Sequence, residues 1–270
     1  MHDHHDVRRS LVTHILLTGA AGMAATQLRP LLRAAGHSLT LLDIAPVGTL
    51  HEGERFVRGS FTEPEVLDDA LIDIDTVVHL GGHSRESSWS EILAVNIDGT
   101  QRILEAAHRA GVERALLASS THAIGFWPVG SPDSELTPRP DTYYGVSKIA
   151  AEALGSVYAD RYGMTVVAAR IGTLADEPLT ERHRHTWLSY PDLARLIEAV
   201  TTTPERGYHL VYAVSANTHG WFPLAGGAVI GYHPRDDAEA WAPFPPEDTN
   251  GPDLIGGAFA DDAHPLGGSW

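Results

Sequence analysis

Apolar and polar positions follow a repeating rhythm through the first two thirds of the chain. Short apolar runs at residues 15–17, 39–43, 55–58, 76–80, 115–118 and 165–170 are too brief for helices and read as buried strands. Between them lie stretches with apolar residues at helical spacing. One runs from the turn near Gly22 to Ala35, where Gly36 supplies a cap, and a second covers 64–71 with Pro64 near its start. A third covers 88–110 with Ile92, Val95, Ile103, Leu104 and Ala107 on one side, and a fourth runs from Tyr144 to about Tyr162. Strands and helices alternating at such short intervals predict an α/β fold: a doubly wound parallel sheet with helices on both faces. After Gly172 the rhythm changes. Residues 191–200 read as a helix and 209–214 as a strand, and 243–270, rich in Pro, Gly and Trp, reads by composition as a loose tail. The expected organisation is therefore a sheet domain over 12–172 and a small C-terminal region over 173–270, together forming one compact unit. No internal repeat is visible.

The first strand runs into Thr18-Gly19-Ala20-Ala21-Gly22-Met23-Ala24-Ala25 and then into a helix. Strand, glycine turn and helix is the context of a dinucleotide fingerprint of the Rossmann type. The glycines let backbone N–H groups approach a pyrophosphate at the positive end of the helix. Ala25 stands at the third small position. Gly19, Ala21, Gly22 and Met23 are the expected phosphate-side contacts. Leu80, Gly81 and Gly82, at the end of the fourth strand, are a second place where backbone could meet the cofactor. Asp43 closes the second strand 24 residues after Gly19, the spacing of an acid on the adenosine ribose. Its carboxylate would accept from the ribose hydroxyls and repel a 2′-phosphate, and residues 44–50 hold no arginine to receive one. NAD is thus expected rather than NADP.

Composition then sharpens one position. The chain holds 18 arginines and a single lysine, Lys148. An ammonium is a compact charge where arginine's fork is broad, so a retained lysine suggests work a guanidinium cannot do. Tyr144 lies four residues earlier, on the same helical face. A phenol beside an ammonium makes a candidate acid–base pair, the cation being expected to pull the phenol down from its usual ~10. Ser119, Ser120, Thr121 and His122 cluster at the carboxyl end of the fifth strand, where open α/β sheets bind ligands. Asn96, on the third helix, reads as a brace between helix and loop. Arg182, His183, Arg184 and His185 are a basic cluster in a protein of net charge −16; they form either a solvated loop or an anion site. That net charge, without a basic run, argues against nucleic acid. There is no cysteine, hence no disulfide or thiolate site, and no metal is expected. No apolar stretch approaches the ~20 residues of a membrane span, and residues 1–10, with His2, His4 and His5, read as a polar tail. A cytoplasmic protein is expected.

In this order, Thr18-Gly19-x-x-Gly22, Asp43, Ser119-Ser120 and Tyr144-x-x-x-Lys148 resemble the extended short-chain dehydrogenase/reductase family. Within it the chain is similar to the bacterial NAD-dependent uronate dehydrogenases. The stretches that carry this are His79-Leu80-Gly81-Gly82-x-Ser84, Tyr144-Gly145-Val146-Ser147-Lys148, Arg170-Ile171-Gly172, Thr186-Trp187-x-Ser189, Ser215-Ala216-Asn217 and Gly256-Gly257-x-Phe259. The last of these withdraws the loose-tail reading for 256–262. The resemblance implies oxidation of a hexuronic acid at C1 to the aldarolactone, with NAD as hydride acceptor, in a homo-oligomer. It implies Tyr144 as base, Lys148 on the nicotinamide ribose and Ser120 on the reacting oxygen. Ser84, Thr121, His122, Thr173 and Phe259 would shape the sugar site, and Arg182, or its neighbour Arg184, would pair with the uronate carboxylate. Thr121 stands where the family usually has asparagine, Thr173 where it has serine, Ser60 where it has aspartate and Ala25 where it has glycine. Two other readings stay open: a nucleotide-sugar epimerase or dehydratase of the same family, and a non-catalytic dinucleotide sensor. The short C-terminal region argues against the first and the retained lysine against the second.

Overall fold

Seven parallel strands form one sheet in the order β3-β2-β1-β4-β5-β6-β9. The fold comes from a computed structural model that describes residues 12–130, 137–245 and 253–270. The polar tail at 1–10 and part of the proline-rich loop before Tyr143 lie outside those residues. The strands are β1 (His14–Thr18), β2 (Ser38–Asp43), β3 (Glu54–Arg58), β4 (Thr76–His79), β5 (Arg114–Ser120), β6 (Thr165–Ile171) and β9 (Tyr208–Ala213). Two short strands, β7 (Thr173–Leu174) and β8 (Trp187–Leu188), pair with each other beyond the sheet's carboxyl edge. The helices are α1 (Met23–Ala34), α2 (Pro64–Ala70), α3 (Trp89–Glu91), α4 (Asp98–Arg109), α5 (Tyr143–Tyr162), α6 (His183–Thr186), α7 (Tyr190–Thr202) and α8 (Ala225–Val229). Among the described residues no helix is long and apolar enough to cross a membrane.

Both faces of the sheet are covered, as its nearly continuous apolar strands require. Because successive side chains point to opposite faces, Ile15 and Leu17 pack with Leu28 and Leu32 of α1 and with Leu193, Leu196 and Ile197 of α7. Leu16 packs on the other side with Leu67 of α2, Ile103 and Leu104 of α4, and Tyr158 of α5. The sheet extends past residue 172: β9 pairs with β6 from Val166↔Tyr208 to Ile171↔Ala213. A smaller apolar cluster joins Ile124, Tyr212, Val214, Phe222 and Ile255, so the C-terminal segment docks on the sheet's carboxyl side. The 3₁₀ turn Gly257–Ala260 lies in that segment.

The long helix expected over 88–110 is interrupted. α3 and α4 are joined by a π-helical stretch, Ile92–Ile97, which carries Asn96. The wider turn brings the Asn96 amide over the loop after β4. Its Oδ1 accepts from His83 N at 2.8 Å, and its Nδ2 donates to His83 O at 3.0 Å and to the Ser147 hydroxyl at 3.1 Å. Gly82, at φ 136°, lies beneath it, and a Cβ there would meet Asn96 Oδ1 at 2.8 Å. Asn96 thus braces a helix against a loop, and it also reaches α5.

Candidate active site

A cleft of about 920 Å³ opens along the carboxyl ends of β2, β1, β4 and β5, across the place where strand order reverses between β1 and β4. That is the ligand position of open parallel sheets. At one end lie Asp43, Ile44 and Ser60, in the middle Gly19, Gly22, Met23, Leu80, Gly81 and Gly82, and at the other Ser84, Ser120, His122, Tyr144 and Lys148.

The middle of the cleft is backbone. Gly19 has φ 68°, and a Cβ there would meet Gly81 Cα at 2.8 Å, so the two loops approach each other as only glycines allow. Gly22 caps α1 with no side-chain hydrogen bond, which leaves the helix's first turn facing the cleft as an anion-binding end. Ala21 is held from behind: its N–H donates to Asp43 Oδ2 at 2.9 Å, while Oδ1 accepts from Ala45 N at 2.9 Å. Each carboxylate oxygen keeps a lone pair for a ribose hydroxyl. Arg58 is a neighbour that the sequence did not reveal. It is Asp43's register partner on β3, and its Nε donates to Ile44 O at 3.3 Å. The Asp43 charge, rather than the absence of any cation, is what disfavours a 2′-phosphate here. The glycine cradle, the open helix end and the acid together fit a dinucleotide of the NAD type.

At the far end, Tyr144 and Lys148 share the face of α5 that meets the end of β5. Thr142 caps the helix, its hydroxyl accepting from Gly145 N at 2.9 Å. The buried Glu86 takes up the first amides, accepting from Tyr143 N at 3.2 Å and Tyr144 N at 2.8 Å. Eight residues beyond Tyr144, Glu152 forms a buried pair with Arg170 of β6 at 2.9 Å and accepts the Ser119 hydroxyl at 2.6 Å. This fixes α5 against β5 and β6, and so Tyr144 against Ser120.

Lys148 sits over the Tyr144 ring, 5.1 Å from its centroid, and its Nζ donates to Ala118 O at 2.8 Å. The expected effect on the phenol is not found. Burial pushes Tyr144 up to about 12; the Ser120 hydroxyl opposes the rise by its hydrogen bond, and the Asp141 carboxylate adds to it. The ammonium lies over the ring and is bonded to the Ala118 carbonyl, and desolvation prevails. Burial also pulls Lys148 down to about 8.

This order of elements and this geometry have a counterpart among known proteins. Residues 15–186 match the family described as NAD dependent epimerase/dehydratase. The chain belongs to that family. A curated relative, the uronate dehydrogenase of Pseudomonas syringae pv. tomato, is 38% identical over 253 residues, covering 91% of this chain and 92% of that protein. The crystal structure of a glucuronic acid dehydrogenase from Chromohalobacter salexigens is 34% identical, with TM-score 0.87, over 94% of this chain and 99% of that one. A tyrosine variant of the uronate dehydrogenase from Agrobacterium tumefaciens, solved with NAD, is 33% identical, with TM-score 0.87, over 94% and 99%.

In this epimerase/dehydratase-family member, the remaining candidates lie just outside the cleft's lining. Phe259 stacks on His122 with centroids 4.2 Å apart. Thr121 is buried in the turn after β5, and Thr173 shares a 2.8 Å hydrogen bond with Thr186. The Arg182 guanidinium donates to the Leu254 and Ile255 carbonyl oxygens and lies over the Trp221 ring at 5.2 Å. Arg184 is held instead by Glu239 at 2.7 Å and Glu181 at 3.0 Å. Sequence reasoning missed Glu86, Asp141 and the Glu152–Arg170 pair. Their one legible signal was position: Asp141 immediately precedes the Tyr144 helix, and Glu152 follows Lys148 by one turn.

Proposed function

We propose that the chain oxidises a hexuronic acid, galacturonate or glucuronate, at C1 to the aldarolactone, with NAD as acceptor. The observation that carries this is the convergence of Ser120, Tyr144 and Lys148 at the closed end of a dinucleotide cleft, in a chain similar over nearly its full length to uronate dehydrogenases. When bound, NAD would supply the hydride acceptor. Gly19, Gly22 and Met23 hold its phosphates and Asp43 its ribose. Tyr144, acting as its phenolate, takes the proton of the C1 hydroxyl, and Ser120 hydrogen-bonds the same oxygen. Lys148 places a positive charge over the phenol ring and would bind the nicotinamide ribose. Ser84, Thr121, His122, Thr173 and Phe259 enclose the sugar. Arg182 is the carboxylate partner in this reading, supported by the two glutamates that already neutralise Arg184.

The same reading makes the protein a cytoplasmic homo-oligomer. Exposed apolar residues such as Trp89, Leu93, Val157 and Tyr162 support a contact between copies. The deciding experiment is NADH production by the purified protein with uronates, the corresponding neutral aldoses and nucleotide sugars. Turnover is expected with uronates, and Tyr144→Phe should reduce it by at least ~100-fold. Conversion of a nucleotide sugar without net NADH would replace this reading with the epimerase one. NAD binding with no turnover of any sugar would leave a sensor.

A further inference from the structure

Behind the sugar end of the cleft lies a carboxylate to which the oxidation assigns no task. Asp141 is 4% exposed. Its Oδ2 is 2.7 Å from His122 Nδ1, and its Oδ1 accepts the Thr142 hydroxyl at 2.9 Å. Three segments make room for it with glycine. A Cβ at Gly125 or at Gly256 would overlap Oδ2, and one at Gly145 would lie 3.1 Å from Oδ1. The turn after β5, the start of α5 and the C-terminal segment therefore all close on this one group.

An ionised carboxylate only accepts hydrogen bonds, so His122 Nδ1 carries a proton. The neutral ring then has its lone pair on Nε2. The ring is fixed in place as well as in tautomer. Phe259 stacks on it at 4.2 Å with planes 22° apart, and the Tyr144 ring stands against it at 5.8 Å and 66°. Rotation or tautomer exchange would leave the buried Oδ2 of Asp141 without its His122 donor, which is costly. His122 lines the cleft beside Ser120 and Tyr144.

We propose that Asp141 is a positioning residue for the oxidation: it holds His122 in the Nδ1–H tautomer, so that Nε2 offers a lone pair to a hydroxyl of the bound sugar. Hydroxyls are donors, and this acceptor is set next to the group that takes the C1 proton. Identifying the ligand as a sugar rests on the function proposed above; the tautomer does not.

The test begins with the wild-type protein, without substrate, labelled with ¹⁵N-histidine and held near pH ~8, above the usual imidazole range. The His122 signals are identified by their loss in His122→Gln. A protonated Nδ1 with an unprotonated Nε2 is expected; an Nε2–H tautomer overturns the proposal whatever the substrate proves to be. The second arm is Asp141→Asn, which keeps the shape that the glycines surround but allows the amide to donate to Nδ1. The variant should lose the pure tautomer and lower kcat/KM for the uronate about 10- to 100-fold, as for loss of a hydrogen bond involving a charged group. The loss should fall more on KM than on kcat, because the hydroxyl contact exists before the reaction. NAD affinity should be unchanged. If the variant keeps kcat/KM within about threefold, or loses NAD binding in parallel, Asp141 only stabilises the fold. A wild type that turns over no uronate overturns the function and the hydroxyl contact, and the tautomer is still decided by the first arm.

Discussion

Lys148 lies over the Tyr144 ring with its ammonium bonded to the Ala118 carbonyl. Its singularity was legible, because a chain with 18 arginines gives one lysine weight. The state of its partner was not. Whether a phenol is pulled down by a cation or pushed up by burial depends on what packs around it, and Tyr144 is buried, with the ammonium over its ring and the Ala118 carbonyl accepting a hydrogen bond from Nζ. A lysine driven down to about 8 by burial binds its proton less readily when folded than when unfolded. Folding should therefore become more favourable as pH rises from about 8 toward the ordinary lysine value near ~10.4. Protein labelled with ¹³C at lysine Cε carries one label, and its chemical shift should titrate with a midpoint near 8 in the absence of NAD. A midpoint at the ordinary value would mean a hydrated ammonium and no Ala118 contact. Asp43 was legible as a candidate from its spacing, whereas Arg58 was not, since it enters from the neighbouring strand by register.

At the scale of elements, β4 and the helices after it are tied by a directional chain of hydrogen bonds. Thr100 donates to Asn96 O at 2.6 Å, so its oxygen is left to accept from His79 Nε2 at 3.3 Å. His79 Nδ1 then accepts the Thr18 hydroxyl at 2.8 Å, and Thr18 accepts from Gly81 N at 3.1 Å. The chain runs from the cofactor loop to the π-helical stretch and has no place for a second proton on the ring. Burial, with a smaller push from Lys148, accordingly lowers His79 to about 3. The unfolded chain binds a proton that the folded one refuses, so stability is full above about pH 6.5 and is lost as pH falls toward 3. Between pH 6.5 and 5 this one group should cost about 2 kcal/mol. Urea unfolding of wild type and His79→Gln at both pH values tests it: the variant, less stable throughout, should lose less on acidification, and equal losses would remove His79 from the account. The strands and most helices were legible because apolar periodicity reports which face is buried. The π-helical interruption was not, because the apolar positions from Ile92 to Ala107 fit one uninterrupted helix and the wider turn is stabilised by the distant partners of Asn96.

Across the whole molecule, the sheet was readable and the closure of its carboxyl edge was not. Composition marked the last residues as a tail, yet the C-terminal segment is anchored at separate points. Arg182 holds the Leu254 and Ile255 carbonyls, Glu86 accepts from Gly267 N at 2.8 Å, and Trp270 stands edge-on to Phe259 at 4.6 Å. These contacts span up to 181 positions, beyond the reach of any local pattern. Only the resemblance at Gly256-Gly257-x-Phe259 pointed to order there. Arg182 anchors this segment, and the proposed function also makes it the carboxylate partner. Arg182→Ala should raise KM for the uronate by an amount on the order of 2–5 kcal/mol, as for one partner of a buried charge pair. It should also speed amide hydrogen exchange over residues 254–260, with NAD affinity unchanged. Faster exchange with an unaltered KM would make Arg182 a strut for the segment and move carboxylate recognition elsewhere; Arg184→Ala, already bound by two glutamates, should change neither.

The lone lysine also decides how the protein can be handled. Aldehyde resins, activated esters and amine cross-linkers ordinarily react with a scatter of surface lysines. Here they meet one ε-amine, in the lining of the cleft. Coupling chemistry that most enzymes survive as harmless decoration becomes, at this residue, an active-site label that bound NAD should shield.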